Sequence, residues 1–192
     1  FCLSRGLGDV YKRQAGYMKS GLGIYAVQLG ALQVAAIVSV NALGDIINYD
    51  DGHIMAGLLN ADRTGFADTC DAMYQTVEQT RELWGSHPDP EIASHTNTTI
   101  SCIVTNVELT KAQATKVSQM AADAYAHAIR PTHTTNDGDT IYTLASGKLG
   151  TQASAAVPLD LLGMLAVRAL QTAIVNGAKT AKTSHGIPGA AK

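Results

Sequence analysis

The sequence predicts a layered α+β fold, and three observations support this prediction. Apolar stretches of strand length fill residues 23–59, a strand-like alternation starts at Thr98, and a long apolar helical stretch follows Pro158. Strands are followed by helices on both sides of residue 98, which favours stacked sheet and helix layers over a doubly wound parallel sheet. The 192 residues are enough for one domain with a hydrophobic core.

The first apolar stretch predicts a sheet. Residues 23–48 are rich in Val, Ile, Leu and Ala, with Gly30 and Gly44 as breaks, which predicts two buried strands joined by a short turn. Asp51-Gly52 is a hairpin signal and predicts a third strand over residues 53–59. We therefore expect a three-stranded meander that ends near residue 60.

A helix is expected after this sheet. Asp68 can cap it, and Met73, Val77 and Trp84 recur at roughly helical spacing. The glycine and prolines that follow predict an exposed loop over residues 85–96.

The second half of the chain starts with a strand and a helix. Residues 98–105 alternate between two sets of side chains, which predicts a half-buried strand. Thr110 and Gln113 fit a capping box, and the helix that they open should end before Pro131. Its apolar stripe is made mainly of small residues: Ala114, Val117, Ala121, Ala124 and Ala128.

The chain is then predicted to return to a strand and close with a long helix. Residues 140–144 read as a strand, and Pro158 suits the first position of a helix. The inward side chains of that helix should be Leu161, Leu162, Leu165, Ile174 and Val175. The small, polar tail over residues 180–192 is expected to fray.

Composition excludes several classes of function. The net charge of −2 gives no attraction to nucleic acid or to an anionic membrane, and charged or polar residues interrupt the long apolar stretches before they could span a bilayer. Cys70 and Cys102 lack the spacing of a zinc site and the density of a disulfide scaffold, so we expect two buried free thiols.

The most informative motif is Asn97-Thr98, followed 39 residues after Thr98 by Asp137-Gly138-Asp139. A threonine hydroxyl is a weak nucleophile unless a base lies beside it, and an N-terminal threonine can use its own α-amino group as that base. Such an amine titrates at about 7.7 to 8.0 in model peptides. An internal threonine becomes N-terminal only if the preceding bond breaks, so Asn97-Thr98 is a candidate self-cleavage junction.

Four linked motifs resemble the L-aminopeptidase/D-esterase family, which includes the DmpA-type peptidases and the nylon-oligomer hydrolases. In chain order they are residues 19–23, 40–45, 97–100 and 137–140. The resemblance implies a four-layer αββα sandwich of the N-terminal-nucleophile hydrolase type, a fold shared with ornithine acetyltransferase. Residues 1–14 instead resemble a translated sequencing adaptor and are excluded from the fold prediction. We therefore expect a fragment whose native N-terminal portion is missing.

The same resemblance implies roles for individual residues. Thr98 would be the nucleophile, and Asn41 would donate a hydrogen bond to the oxyanion. Lys19 would lower the pKa of the catalytic amine. Asp137 and Asp139 would orient the nucleophile and relay protons. No metal or organic cofactor is implied.

Each of these residues also has an ordinary interpretation. Asn97-Thr98-Thr99 fits an N-glycosylation pattern, and Lys19 could be a solvated charge beside a glycine turn. Asn41 could cap the turn that follows its strand. Asp137 and Asp139 could form a plain Asp-Gly turn or bind calcium, although the spacing of an EF-hand loop is absent.

Other patterns carry less weight. His95, His127 and His133 have no spacing typical of a metal site, so surface or capping roles are expected. Gly21-Leu22-Gly23 does not complete a dinucleotide-binding fingerprint.

The sequence therefore predicts a self-processing aminopeptidase, amidase or esterase. Residues 15–97 would belong to the larger subunit and 98–192 to the smaller one, within a single domain. A small peptide, amide or ester substrate, a homo-oligomer and a cytoplasmic location are expected, with no nucleic-acid or membrane partner. An acyltransferase of the ornithine acetyltransferase type and a catalytically inactive assembly subunit are the alternatives.

Overall fold

The computed structural model describes residues 16–79 and 97–191, which form seven strands and five helices. The strands are β1 (Leu22–Leu29), β2 (Leu32–Ser39), β3 (Asp45–Ile47), β4 (Ile54–Ala56), β5 (Ile100–Thr105), β6 (Ile129–Arg130) and β7 (Thr140–Ala145). The helices are α1 (Thr69–Gln79), α2 (Lys111–Ala121), α3 (Asp123–Ala128), α4 (Thr151–Ala155) and α5 (Leu159–Lys179). The predicted Trp84, the loop over residues 85–96 and residues 1–14 lie outside the described ranges.

The strands form two sheets, and the strands before residue 60 are divided between them rather than joined in the one meander that we expected there. The first sheet has the order β1-β2-β5-β7, antiparallel except for the parallel pair β5 and β7, and the second has the order β4-β3-β6. The chain changes sheets between β2 and β3. There, a β-carbon on Gly44 would collide with the carbonyl of Pro131, just after β6. This close approach brings β3 beside β6 and away from β2.

Helices cover one face of the first sheet. The long helix α5 packs on β1 and β2, and α2 packs on α5 and β7. The helix lies so close that a β-carbon on Gly23 would collide with the carbonyl of Ala173. Of the predicted inward residues of α5, Leu162 and Ile174 are fully buried. The rest of its buried stripe is mainly small residues: Gly163, Ala166, Ala169, Ala173, Gly177 and Ala178.

Helix α5 differs from the sequence expectation in one respect. By length and composition it is apolar enough to cross a membrane, whereas we expected no such stretch. Half of its most apolar 18-residue stretch is buried within the fold. A helix in the core of a fold can be equally long and apolar. The packing of α5 on β1 and β2 therefore accounts for its apolar character.

The opposite face of the first sheet is apolar and exposed among the described residues. Cross-strand partners such as Ile24 and Ile37, or Cys102 and Tyr142, point to this side. Its large exposed side chains are Leu22, Ile24, Ile37, Ile100, Tyr142 and Leu144. The prediction of buried strands is therefore correct only for the face that meets the helices.

Most predicted element starts are confirmed. Asp68 Oδ1 accepts the backbone N–H of Cys70 at 2.9 Å at the start of α1, and Thr110 and Gln113 form the expected capping box. The single helix expected up to Pro131 is two helices, since the chain breaks at Ala122 between α2 and α3.

Two smaller expectations need correction. The tail does not fray over residues 180–191, because Lys19 donates its backbone N–H to the carbonyl of Pro188 at 2.7 Å. Cys70 and Cys102 are free but only half-buried, and burial raises the pKa of both thiols.

Candidate active site

The predicted junction and the predicted Asp-Gly-Asp loop lie side by side. Asn97 forms a parallel bridge with Asp137, and the backbone N–H of Gly138 donates to the carbonyl of Asn97 at 2.9 Å. Two residues further on, Thr140 donates its N–H to the carbonyl of Thr99 at 3.1 Å. The parallel pairing of β5 and β7 thus continues beyond the strand ends and brings the two motifs together.

The hydroxyl of Thr98 lies against Gly138. Thr98 is half-buried and precedes β5. A β-carbon added to Gly138 would lie 2.7 Å from Thr98 Oγ1, closer than real side chains come. The glycine of the Asp-Gly-Asp motif therefore provides the space that this hydroxyl occupies.

Thr99, the next residue, is held on three sides. Its backbone N–H donates to Asp139 Oδ1 at 2.8 Å, and its Oγ1 accepts the backbone N–H of Asn41 at 3.4 Å. Its carbonyl accepts the hydroxyl of Tyr125 at 3.1 Å. Asn41 and Asp139 therefore both reach the residue that follows Thr98.

Lys19 lies next to the segment that leads to Asn41. Ser20 donates its hydroxyl to the carbonyl of Val40 at 2.6 Å, and Val40 donates its N–H to the carbonyl of Gly21 at 3.0 Å. Lys19 is half-buried at the start of this pairing. The backbone thus brings all four predicted motifs into one region.

Electrostatics distinguish the two carboxylates of the loop. Burial raises the pKa of Asp139, and the neighbouring charge of Asp137 adds to the rise, while the Thr99 N–H and His133 act in the opposite direction. Asp137 Oδ2 instead accepts the backbone N–H of Thr134 at 2.8 Å and its hydroxyl at 3.0 Å. Asp137 therefore fixes the loop, and Asp139 can hold a proton at a higher pH than an ordinary aspartate.

Sequence reasoning missed Tyr125. Its hydroxyl lies 2.7 Å from Ser101 Oγ and donates a hydrogen bond to the Thr99 carbonyl. Tyr125 is 1% exposed. The signal was present, because a tyrosine on the alanine-rich stripe of a buried helix needs a partner for its hydroxyl.

The histidines do not join this site as a triad or metal centre. His127 lies 2.8 Å from Gln171 and stacks on Tyr49, while His133 is exposed and His95 lies outside the described ranges. Among the residues that the structure describes, no group of three His, Cys, Asp or Glu side chains could hold a metal ion.

Cavity size does not identify the site. A cavity of about 840 Å³ opens at the far end of the first sheet, where its walls include Gln33, Val104 and Lys148. Thr98 lies at the opposite end of β5. Hydrogen bonding and spacing, rather than volume, therefore identify the candidate active site.

Comparison with known proteins agrees with this geometry. Residues 12–191 match Peptidase family S58. The chain belongs to this family. The resemblance inferred from the four motifs is thereby confirmed.

Curated relatives of this S58 chain include uncharacterized aminopeptidases and an oligomer endohydrolase. An uncharacterized aminopeptidase of Mycobacterium leprae is 29% identical over 185 residues, covering 91% of this chain and 48% of the relative. A 6-aminohexanoate-oligomer endohydrolase of Kocuria sp. is 27% identical over 167 residues, covering 83% of this chain and 44% of the relative. The chain spans about half the length of the curated relatives that it matches.

Solved structures confirm the fold class. The L-aminopeptidase D-Ala-esterase/amidase of Ochrobactrum anthropi, described as a variant of the Ntn hydrolase fold, matches with a TM-score of 0.53 and 15% identity, covering 93% of this chain and 47% of that one. A beta-aminopeptidase of Burkholderia sp. matches with a TM-score of 0.50 and 19% identity, covering 90% and 46%. The S58 chain thus has the α+β fold of the N-terminal-nucleophile hydrolases, as predicted.

Proposed function

We propose that this chain carries the self-cleavage junction and the nucleophile of a hydrolase that acts on amide or ester bonds. The observation that best supports this proposal is the position of Thr98. Its hydroxyl lies against Gly138, whose N–H binds the carbonyl of Asn97, at the bond to be broken. Nucleophile, electrophile and a carboxylate-bearing loop are thus contiguous.

In the proposed self-cleavage, Thr98 Oγ attacks the carbonyl carbon of Asn97. The hydroxyl proton passes to the Asp139 carboxylate and then to the nitrogen of Thr98 as the C–N bond breaks, which leaves an ester between Asn97 and Thr98. Water then hydrolyses the ester. The products are residues 1–97 with a new carboxylate and residues 98–192 with a free α-amine, within the single domain.

The mature nucleophile would use this α-amine as its general base. In this proposal Asn41 donates to the substrate oxyanion, and Lys19 favours the neutral amine by charge repulsion. Asp137 holds the loop and Asp139 exchanges the proton. These roles agree with the short backbone connections between the four motifs.

The substrate class that we propose follows from the names of the relatives. They describe an L-aminopeptidase and D-Ala-esterase/amidase, a beta-aminopeptidase and an oligomer endohydrolase. A small peptide, amide or ester is the substrate that we propose for this chain. A homo-oligomer of processed units is part of the same proposal.

Intact mass spectrometry of a full-length version of the protein tests the self-cleavage. We expect two masses, one for the part that ends at residue 97 and one for the part that begins at residue 98, in the wild type and in Thr98→Ser, and one uncut mass in Thr98→Ala. Thr64→Ala, which changes an exposed threonine elsewhere, should cleave like the wild type. An uncut wild type, or cleavage that survives Thr98→Ala, would refute the proposal.

Activity is tested separately on the processed protein. L-Alanine p-nitroanilide and D-alanine methyl ester are the probes, with transfer of acetyl from N-acetylornithine to glutamate as the comparison. Hydrolysis of a probe supports the proposal. Acetyl transfer without hydrolysis would instead indicate the acyltransferase.

A further inference from the structure

One residue contacts both partners of the proposed self-cleavage reaction. The backbone N–H of Gly138 donates to the Asn97 carbonyl at 2.9 Å, and its α-carbon lies where any side chain would press on Thr98 Oγ1. Asn97 is 3% exposed, whereas Thr98 is half-buried and Gly138 is exposed. The carbonyl to be attacked is thus polarised by a backbone donor that the pairing of Asn97 with Asp137 holds in place.

We propose that the Gly138 N–H is the oxyanion donor for self-cleavage, and that residue 138 must be glycine so that the Thr98 hydroxyl can reach the Asn97 carbonyl. This inference rests on the proposed function. It assigns a catalytic group to the precursor, whereas Asn41 is assigned to substrate turnover.

The chemistry explains why this donor matters. When Thr98 Oγ bonds to the carbonyl carbon of Asn97, the carbonyl oxygen takes up the negative charge. A hydrogen bond to a charged oxygen is roughly twice as strong as one to a neutral oxygen. The Gly138 N–H therefore stabilises the tetrahedral intermediate more than the starting amide, and no added reactant is needed before water hydrolyses the ester.

The structure places Gly138, rather than Asn41, on the scissile carbonyl. The Asn41 backbone N–H donates to Thr99 Oγ1, two residues after Asn97. Gly138 lies between the carboxylates of Asp137 and Asp139, and the parallel bridge between Asn97 and Asp137 fixes its register. Its position thus follows from the extended β5 and β7 pairing.

A backbone substitution tests the donor. In vitro translation with glycolic acid at position 138 replaces the N–H by an ester oxygen and adds no side chain. We expect self-cleavage to slow about 10²- to 10³-fold, as for the loss of an oxyanion donor elsewhere. Glycolic acid at Gly52, whose N–H donates to Asn48 at 2.8 Å in an exposed turn, is the matched control and should cleave within about twofold of wild type.

A side-chain variant tests the required space. Gly138→Ala keeps the N–H but puts a β-carbon on the hydroxyl of Thr98, so cleavage should slow at least tenfold. Gly65→Ala is the matched control, because the atom nearest to an added β-carbon there, Asn60 Nδ2, lies 3.4 Å from it. Thermal melts of all four variants establish that each is folded. If the ester variant at position 138 does not fold, Gly138→Ala still tests whether residue 138 must be glycine.

The possible outcomes separate the two proposals. A wild-type chain that remains uncut overturns the proposed function and this inference together. If the glycolic acid and Ala variants at position 138 cleave as fast as the wild type, this inference alone is overturned. A loss confined to those two variants supports it.

Discussion

Two aspartates, one in each sheet region, have opposite surroundings. Asp45, at the start of β3, is 1% exposed. It accepts the N–H of Leu58 at 2.8 Å, and the N–H and hydroxyl of Thr69 at 2.6 and 2.7 Å. Asp139 is half-buried, and among the described residues its one hydrogen bond is the 2.8 Å bond from Thr99.

The difference separates a structural carboxylate from the one that we propose to react. Several donors hold the oxygens of Asp45, which ties β3 to the start of α1. Burial without matching donors raises the pKa of Asp139. A poorly compensated carboxylate beside the proposed nucleophile is suited to taking up and releasing a proton.

Asp45→Ala should have the largest effect on stability. Its removal leaves buried donors of Leu58 and Thr69 without an acceptor, at a cost of about 3 to 5 kcal/mol in the free energy of unfolding. Denaturant unfolding of the uncleavable Thr98→Ala background measures it, and the exposed Asp50→Ala is the control. A loss below about 1 kcal/mol would contradict the structural assignment of Asp45.

Asp139→Asn should have a smaller effect on stability and a larger one on chemistry. The amide oxygen can still accept the Thr99 N–H, so the fold is kept, but self-cleavage should slow about 10²-fold because the proton acceptor is lost. Asp50→Asn is the matched control. Mass spectrometry of samples quenched at successive times gives the rates. Cleavage of Asp139→Asn at the wild-type rate would contradict the role that we propose for this carboxylate.

The same carboxylate predicts a pH dependence. Because its pKa is raised in the folded state, Asp139 becomes protonated as pH falls while an unfolded aspartate is still ionised. Wild-type cleavage should therefore slow on acidification from a pH above the ordinary value of 3.8. Folding stability linked to this group moves the other way: it rises as pH falls through the raised pKa.

How far the sequence could predict this structure depends on the range of each interaction. The capping box at Thr110 and the helix start after Asp68 are local patterns, and both were predicted. The change of sheet near Gly44 depends on contact with Pro131, far along the chain, and periodicity carries no such information. Ile24 and Ile37 lie on the exposed face because apolar alternation does not reveal which face the helices cover.

The site shows the same limit. Spacing alone does not reveal that residues 97 and 137 pair in parallel. The family resemblance brought those motifs together, because it carries information about long-range contacts that one chain's periodicity lacks. Gly138 and Tyr125 were not predicted as site residues. The space that Gly138 leaves for the Thr98 hydroxyl, and the one hydroxyl of Tyr125, leave almost no pattern in the sequence.

Tyr125→Phe should have the smallest effect and tests how the two regions differ in rigidity. The hydroxyl links Ser101 to the Thr99 carbonyl, so its loss should cost about 1 kcal/mol, which lowers the melting temperature by about 2 to 4 °C in a domain of this size. Self-cleavage should slow only a few-fold, because Asp139 and Asn41 still hold Thr99. The exposed Tyr142→Phe is the control and should melt like the wild type.

If Tyr125→Phe slowed cleavage as much as Asp139→Asn, without a larger loss of stability, Tyr125 would belong to the reactive region. The hydroxyl would then control the position of the nucleophile and not only the packing of α3 on β5.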